Sequence, residues 1–132
     1  DQVKEIYEKV VENLDLNANF VDYQRMTCEY FESKGHKSQL NTKVPLDGYV
    51  HSLGHGVGLN IHERPGSSLM ASGNDNVLKP GVVITIEPGL YYPEKGMGVR
   101  IEDTYWVRPD GQFERLAEYP YDFVLPMKKW KK

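Results

Sequence analysis

Between Gly35 and Ser38 the spacing of apolar residues changes from helical to extended, so helices come first in this chain and strands afterwards. In DQVKEIYEKVVENLD, residues Val3, Ile6, Tyr7, Val10, Val11 and Leu14 recur at three- and four-residue intervals, the repeat that lines one face of a helix. Glu5 and Lys9 are spaced for an i,i+4 ion pair outside that face. LNANF interrupts the pattern, and Asn19 is placed to cap a second helix that Gly35 ends. Its stripe of Phe20, Tyr23, Thr27, Tyr30 and Phe31 reads as core. From SQLNTKVPLDG onward, Gly, Pro, Asn and Asp punctuate short apolar runs. VVITIE (82–87) is rich in β-branched residues, MGVRIEDTYWV (97–107) alternates up to the turn signal RPDG, and QFERLAE offers a returning partner. Two helices followed by antiparallel strands predict an α+β fold, with helices on one sheet face and the other face free for polar groups.

A chain of 132 residues suits a single domain, 1–132. With 27% charged residues and a net charge of −3 it lacks the basic excess that a nucleic-acid partner requires, and KKWKK at the end reads as a solvated tail. Cys28 stands alone, which excludes an internal disulfide and suits a reducing compartment; a buried, inert thiol is expected. No apolar run approaches the roughly 20 residues that span a bilayer, and no signal-peptide pattern opens the chain. The expectation is a cytoplasmic protein with no membrane partner. Asp1 stands already in a helical pattern, which suggests that something upstream has been removed.

HSLGHGVGLNIHERPG (51–66) sets three histidines among four glycines. If 51–55 is extended, His51, Leu53 and His55 share a face, and the glycines let the backbone bend and bulky groups approach. Glu87 ends a strand just before Pro88 and Gly89, and Glu102 falls within VRIED, where a buried carboxylate needs a partner. His55, Glu87 and Glu102 on three strands would give a mixed nitrogen and oxygen site for Mn²⁺, Co²⁺, Fe²⁺ or Zn²⁺. The competing reading pairs Glu102 with Arg100 and leaves His55 merely hydrogen-bonded; residue types alone leave both open.

HSLGHGVGLNIHERPG, VITIEPGLYYPEKGMGVRIEDTYWV and their order resemble the second half of the pita-bread metallopeptidases, which include methionine aminopeptidases, proline-specific aminopeptidases, prolidases and creatinase. EPGLY and GVRIED resemble the proline-specific members most. The likeness is strong over 49–107 and looser over the helices. It implies two helices on a curved antiparallel sheet, the C-terminal half of that fold. It also implies His55 and Glu87 as ligands of one metal, Glu102 as a bridge between two, and Glu87 as the acid/base acting on the attacking water. His62 matches a substrate-contacting histidine that steadies the tetrahedral intermediate, His51 one lining the substrate pocket, and Arg100 an arginine that orients Glu102 or a substrate group. Glu63 is expected either to be structural, with Arg64 and the adjacent turn as partners, or to back a ligand from outside; Asp103 is expected to support its ligand neighbour, and His36 to complement a helix C-terminus on the surface.

The family's site has five ligands, two of them aspartates on a hairpin preceding the first helix seen here. Asp1, Asp15, Asp22 and Asp47 do not match them. The resemblance therefore implies a C-terminal portion of an Xaa-Pro aminopeptidase or dipeptidase, with two divalent ions in the intact enzyme, at most one weakly bound here, and negligible hydrolysis by this portion alone. An unpaired sheet edge and apolar face are expected to promote self-association, for which a homodimer is the simplest form. A creatinase-like amidinohydrolase and a non-catalytic binding module are the rival readings.

Overall fold

A computed structural model describes residues 1–71 and 74–122; the KKWKK terminus lies outside the described residues. Helices α1 (Gln2–Glu12) and α2 (Phe20–Ser33) form where the three- and four-residue spacing places them. The Asn19 side chain accepts from the Val21 N–H and satisfies one of the orphan donors at the start of α2. Val3, Ile6, Tyr7 and Val10 of α1 and Phe20, Tyr23, Cys28 and Phe31 of α2 are buried in one core with Ile84, Ile86 and Tyr105. Each fully buried aliphatic or aromatic side chain in such a cluster contributes about 1.5–3 kcal/mol. The ion pair on α1 forms between Lys4 and Glu8, 3.9 Å apart, rather than between Glu5 and Lys9. Glu5 instead accepts the Tyr30 hydroxyl at 2.5 Å, a charge-assisted bond that outweighs an exposed ion pair.

Among the described residues seven strands follow: β1 (His55–Gly56), β2 (Glu63–Gly66), β3 (Val83–Ile86), β4 (Gly89–Tyr92), β5 (Met97–Arg100), β6 (Asp103–Val107) and β7 (Phe113–Arg115). Every pairing is antiparallel. They divide into a five-stranded sheet, β2-β1-β3-β6-β7, and a separate β4-β5 hairpin. The run 97–107 is therefore two strands, not one: β5 follows β4, β6 follows β3, and Ile101 and Glu102 make the passage between them. QFERLAE does return as the partner of β6.

The pleat sorts the residues by face. Ile84 and Ile86 pair with Tyr105 and Asp103, and these look toward the helices. Thr85 and Glu87 look the other way, because successive side chains alternate. No helix among the described residues is long and apolar enough to cross a membrane.

Burial raises the phenol pKa of Tyr7, Tyr23, Tyr30, Tyr49, Tyr91, Tyr92, Tyr105 and Tyr121, that of Tyr30 to about 12. A phenol with a raised folded-state pKa holds its proton more tightly when folded. Its stabilisation is complete below the unfolded pKa of about 10 and is lost as the pH rises toward the folded value. The urea midpoint is thus expected to fall steeply above about pH 10, with tyrosinate absorbance appearing together with unfolding. Ionisation of most of these eight phenols at about pH 10 in a chain that remains folded would contradict this.

Candidate active site

The segment that carries the histidines is held from both sides. Buried Gln24 of α2 accepts from the Leu53 N–H and the Tyr49 hydroxyl, and its amide donates to the His51 carbonyl at 3.3 Å. The Leu53 carbonyl in turn accepts the Glu87 N–H at 2.7 Å, which fixes Glu87 against this segment. Residues 51–54 are thus not a ladder strand: Gln24 takes the Leu53 N–H, and pairing begins only at His55. Leu53 is fully buried, whereas His51 and His55 are partly open, so the three do not form the common face expected of an extended run. At Gly54 the backbone passes so close to β3 that an added Cβ would lie 1.9 Å from the Thr85 carbonyl oxygen.

His55 and Glu87 come together: Nε2 lies 3.3 Å from Oε1, with both side chains largely buried. His55 Nδ1 is 3.0 Å from the Gly56 carbonyl, which only accepts, so Nδ1 carries a proton. In the neutral ring the Nε2 lone pair then faces a carboxylate oxygen. Two lone pairs at this distance call for something between them, either a proton on one of the two partners or a metal ion. Thr85 supports the pair, its hydroxyl donating to Glu87 Oε1 at 3.1 Å and accepting the His55 N–H at 3.1 Å. The exposed His62 ring lies beside His55, centroids 4.2 Å apart.

Glu102 stands differently from its expected place. It is exposed, in the passage between β5 and β6, and meets Arg100 at 3.3 Å (Nε to Oε2). The same guanidinium reaches Glu87 Oε2 at 3.6 Å. Among the described residues no three of His, Cys, Asp and Glu stand close enough to hold a metal ion as a group. The site therefore consists of two convergent donors, His55 and Glu87, with Glu102 joined to them through Arg100. Nitrogen and carboxylate oxygen suit a borderline or hard divalent cation.

Asp103 does not support Glu102. Neighbours on an extended chain point to opposite faces, and Asp103 is buried on the helix side. It accepts from Tyr7 at 2.5 Å and from Tyr121, with Arg115 4.0 Å away. Nor is His36 a free surface histidine. It bonds Gln2 at 2.6 Å and Tyr92, joining the end of α2 to α1 and β4, and burial lowers its pKa. Glu63 accepts the Asn60 N–H in its own turn at 3.2 Å, the structural role expected of it.

Tyr91 is not among the expected site residues. It accompanies Gly89 and Arg100 on one face of the β4-β5 hairpin, where Gly89 pairs with Arg100 and Tyr91 with Gly98. An added Cβ at Gly89 would meet the Tyr91 hydroxyl at 2.6 Å, so the ring lies over this glycine. His51 Nδ1 donates to the Ser52 carbonyl at 2.8 Å, leaving Nε2 to accept the Tyr91 hydroxyl at 3.0 Å. Burial raises the Tyr91 pKa, while the Arg100 guanidinium draws it down. His51 thus meets Tyr91, Glu87 meets His55 and Arg100, and Glu102 meets Arg100, while Thr85 and Tyr91 are the residues the expectation lacked.

This fold is shared with solved structures. The prolidase from Pyrococcus horikoshii superposes with a TM-score of 0.75 at 33% identity over 93% of this chain and 31% of its own, which defines the class as a partial pita-bread metallopeptidase fold. The chain belongs to metallopeptidase family M24, whose model matches residues 1–109. It is 36% identical over 132 residues to the uncharacterized peptidase YqhT of Bacillus subtilis, a match covering 95% of this chain and 33% of that protein. It is 57% identical over 65 residues to the Xaa-Pro dipeptidase of Pyrococcus furiosus, covering 49% and 18%. The chain spans about a third of the length of YqhT and of the prolidase.

Proposed function

We propose that this chain supplies part of the active site of a metal-dependent peptidase that cleaves the bond before proline in Xaa-Pro peptides. Two divalent ions, held by five ligands of which His55, Glu87 and Glu102 are three, would serve the intact site. The observation that carries this reading is the convergence of His55 Nε2 and a Glu87 carboxylate oxygen at 3.3 Å, a nitrogen and oxygen pair that a divalent ion between them would satisfy. The prolidase and Xaa-Pro dipeptidase relatives support the substrate class.

When bound, a divalent ion supplies Lewis acidity and makes water acidic enough to attack near neutral pH. Glu87 takes the proton that the attacking water gives up and returns it to the leaving amine. Partly buried, braced by Thr85 and facing Arg100, it is held in one orientation for both transfers. His62, exposed beside His55, is free to reach a substrate and donate to the oxyanion that develops. His51 has both ring nitrogens engaged within the chain, so it acts by aligning Tyr91. Arg100 orients Glu102.

With three of five ligands, the 132-residue chain alone is expected to hold at most one ion weakly and to hydrolyse Xaa-Pro dipeptides negligibly in Mn²⁺ or Co²⁺. The same chain extended by a segment carrying the two aspartates is expected to turn over. Robust turnover by the chain alone would refute the shared site, and an extended protein inert on Xaa-Pro peptides would refute the substrate.

A further inference from the structure

We infer that Arg100 is a displaceable internal cation, which clasps the two carboxylates of the site and must release Glu102 before a divalent ion can be held by all three donors. This rests on the metal-site reading above. The two oxygens of Glu87 face different partners: Oε1 meets His55 and Thr85, and Oε2 meets Arg100. The Arg100 Nε simultaneously holds Glu102 Oε2 at 3.3 Å. One guanidinium thus bridges two carboxylates that would otherwise repel each other, a task suited to its fixed fork of donors. While so paired, Glu102 stands outside any three-donor group among the described residues.

A cation entering between His55 Nε2 and Glu87 Oε1 meets two donors that are ready. The third arrives only when Glu102 exchanges its guanidinium partner for the ion. Arg100 is half exposed, with a side-chain accessibility of 48%, so it can swing away without opening the core. Because its ion pairs are partly solvated, the competition is modest and reversible. The clasp therefore sets cation affinity while holding the carboxylates in place beforehand.

Titration calorimetry of the purified protein with Mn²⁺ alone tests this, using Arg100→Gln, Arg100→Lys and His55→Ala. Arg100→Gln is expected to tighten binding about five- to tenfold, the scale of two half-exposed ion pairs. Arg100→Lys keeps the charge but not the fork, so it is expected to give most of that gain. Arg100→Lys matching the wild type would reduce the effect to net charge and overturn the clasp, as would an Arg100→Gln protein that binds equally or more weakly. His55→Ala separates the two levels. If it leaves Mn²⁺ binding unchanged, the metal site itself is wrong and the clasp fails with it; if it abolishes binding while both Arg100 variants match the wild type, the clasp alone fails.

Discussion

Glu87→Gln is expected to abolish peptidase turnover in a protein carrying the complete site, by about 10³-fold, while leaving the cation-free fold as stable as the wild type or slightly more so. The loss follows from its role: an amide neither shuttles the proton nor binds a divalent ion as a carboxylate does. The stability follows from the geometry. An amide NH₂ introduced in place of Oε1 would donate to Nε2 of the neutral His55 ring directly, without the intervening positive charge that the carboxylate calls for. The Thr85 hydroxyl can accept the second amide hydrogen, and Arg100 can keep a carbonyl oxygen in place of Oε2. Every polar atom around position 87 would then have a partner. Thermal melts with and without Mn²⁺ check this: the variant should match or exceed the wild type without the ion and gain nothing from it. A melting temperature several degrees lower without Mn²⁺ would show that Glu87 stabilises the fold, and retention of a tenth of the turnover would remove it from the chemistry. A site that lowers stability in order to hold a reactive arrangement is a recurrent feature of enzymes.

What the sequence makes legible follows from how local each determinant is. Both helices, the Asn19 cap and the β6-β7 hairpin are set by spacing and turn residues within a few positions, and they form as read. The break at Ile101–Glu102 is poorly marked because strand-favouring residues stand on both sides of it and no Gly or Pro punctuates 99–107. Only the partners differ on its two sides, and those are non-local. That break decides the site, because it moves Glu102 from a strand interior to an exposed passage within reach of Arg100. Of the two readings left open by residue type, the Arg100–Glu102 pair is present, and His55 and Glu87 converge beside it without Glu102. Asp103 is misplaced for want of the strand period applied one residue further, which sends it to Tyr7. Thr85 is within reach of the same period, two residues before Glu87 on the same face. Tyr91 has a fainter signal in Gly89 and Gly98, whose missing side chains make room for its ring.

Gly54→Ala is expected to cost about 4 kcal/mol or more, enough to unfold most of a chain whose total stability lies in the usual range of about 5–15 kcal/mol or to strip it of its site. The new Cβ would lie 1.9 Å from the Thr85 carbonyl oxygen and 2.8 Å from its carbonyl carbon, with the Phe20 ring at 3.0 Å on another side. A flexible side-chain end could yield to such a contact, but here the obstacle is the backbone of a central strand bonded to β6 on its other edge. The Gly54 backbone cannot easily withdraw, since its N–H and carbonyl are both bonded to the Ser67 hydroxyl, at 2.9 and 2.8 Å. Relief therefore requires β1 to part from β3, and this carries His55 away from Glu87. Gly66→Ala supplies the contrast on the neighbouring strand, where an added Cβ meets only Asn76 Oδ1 at 3.7 Å, an ordinary contact. That substitution is expected to change stability by less than about 1 kcal/mol. Urea unfolding of the two variants would show the difference directly. Similar midpoints would mean that the histidine segment does not lie against β3, and His55 and Glu87 would then have no common place to meet.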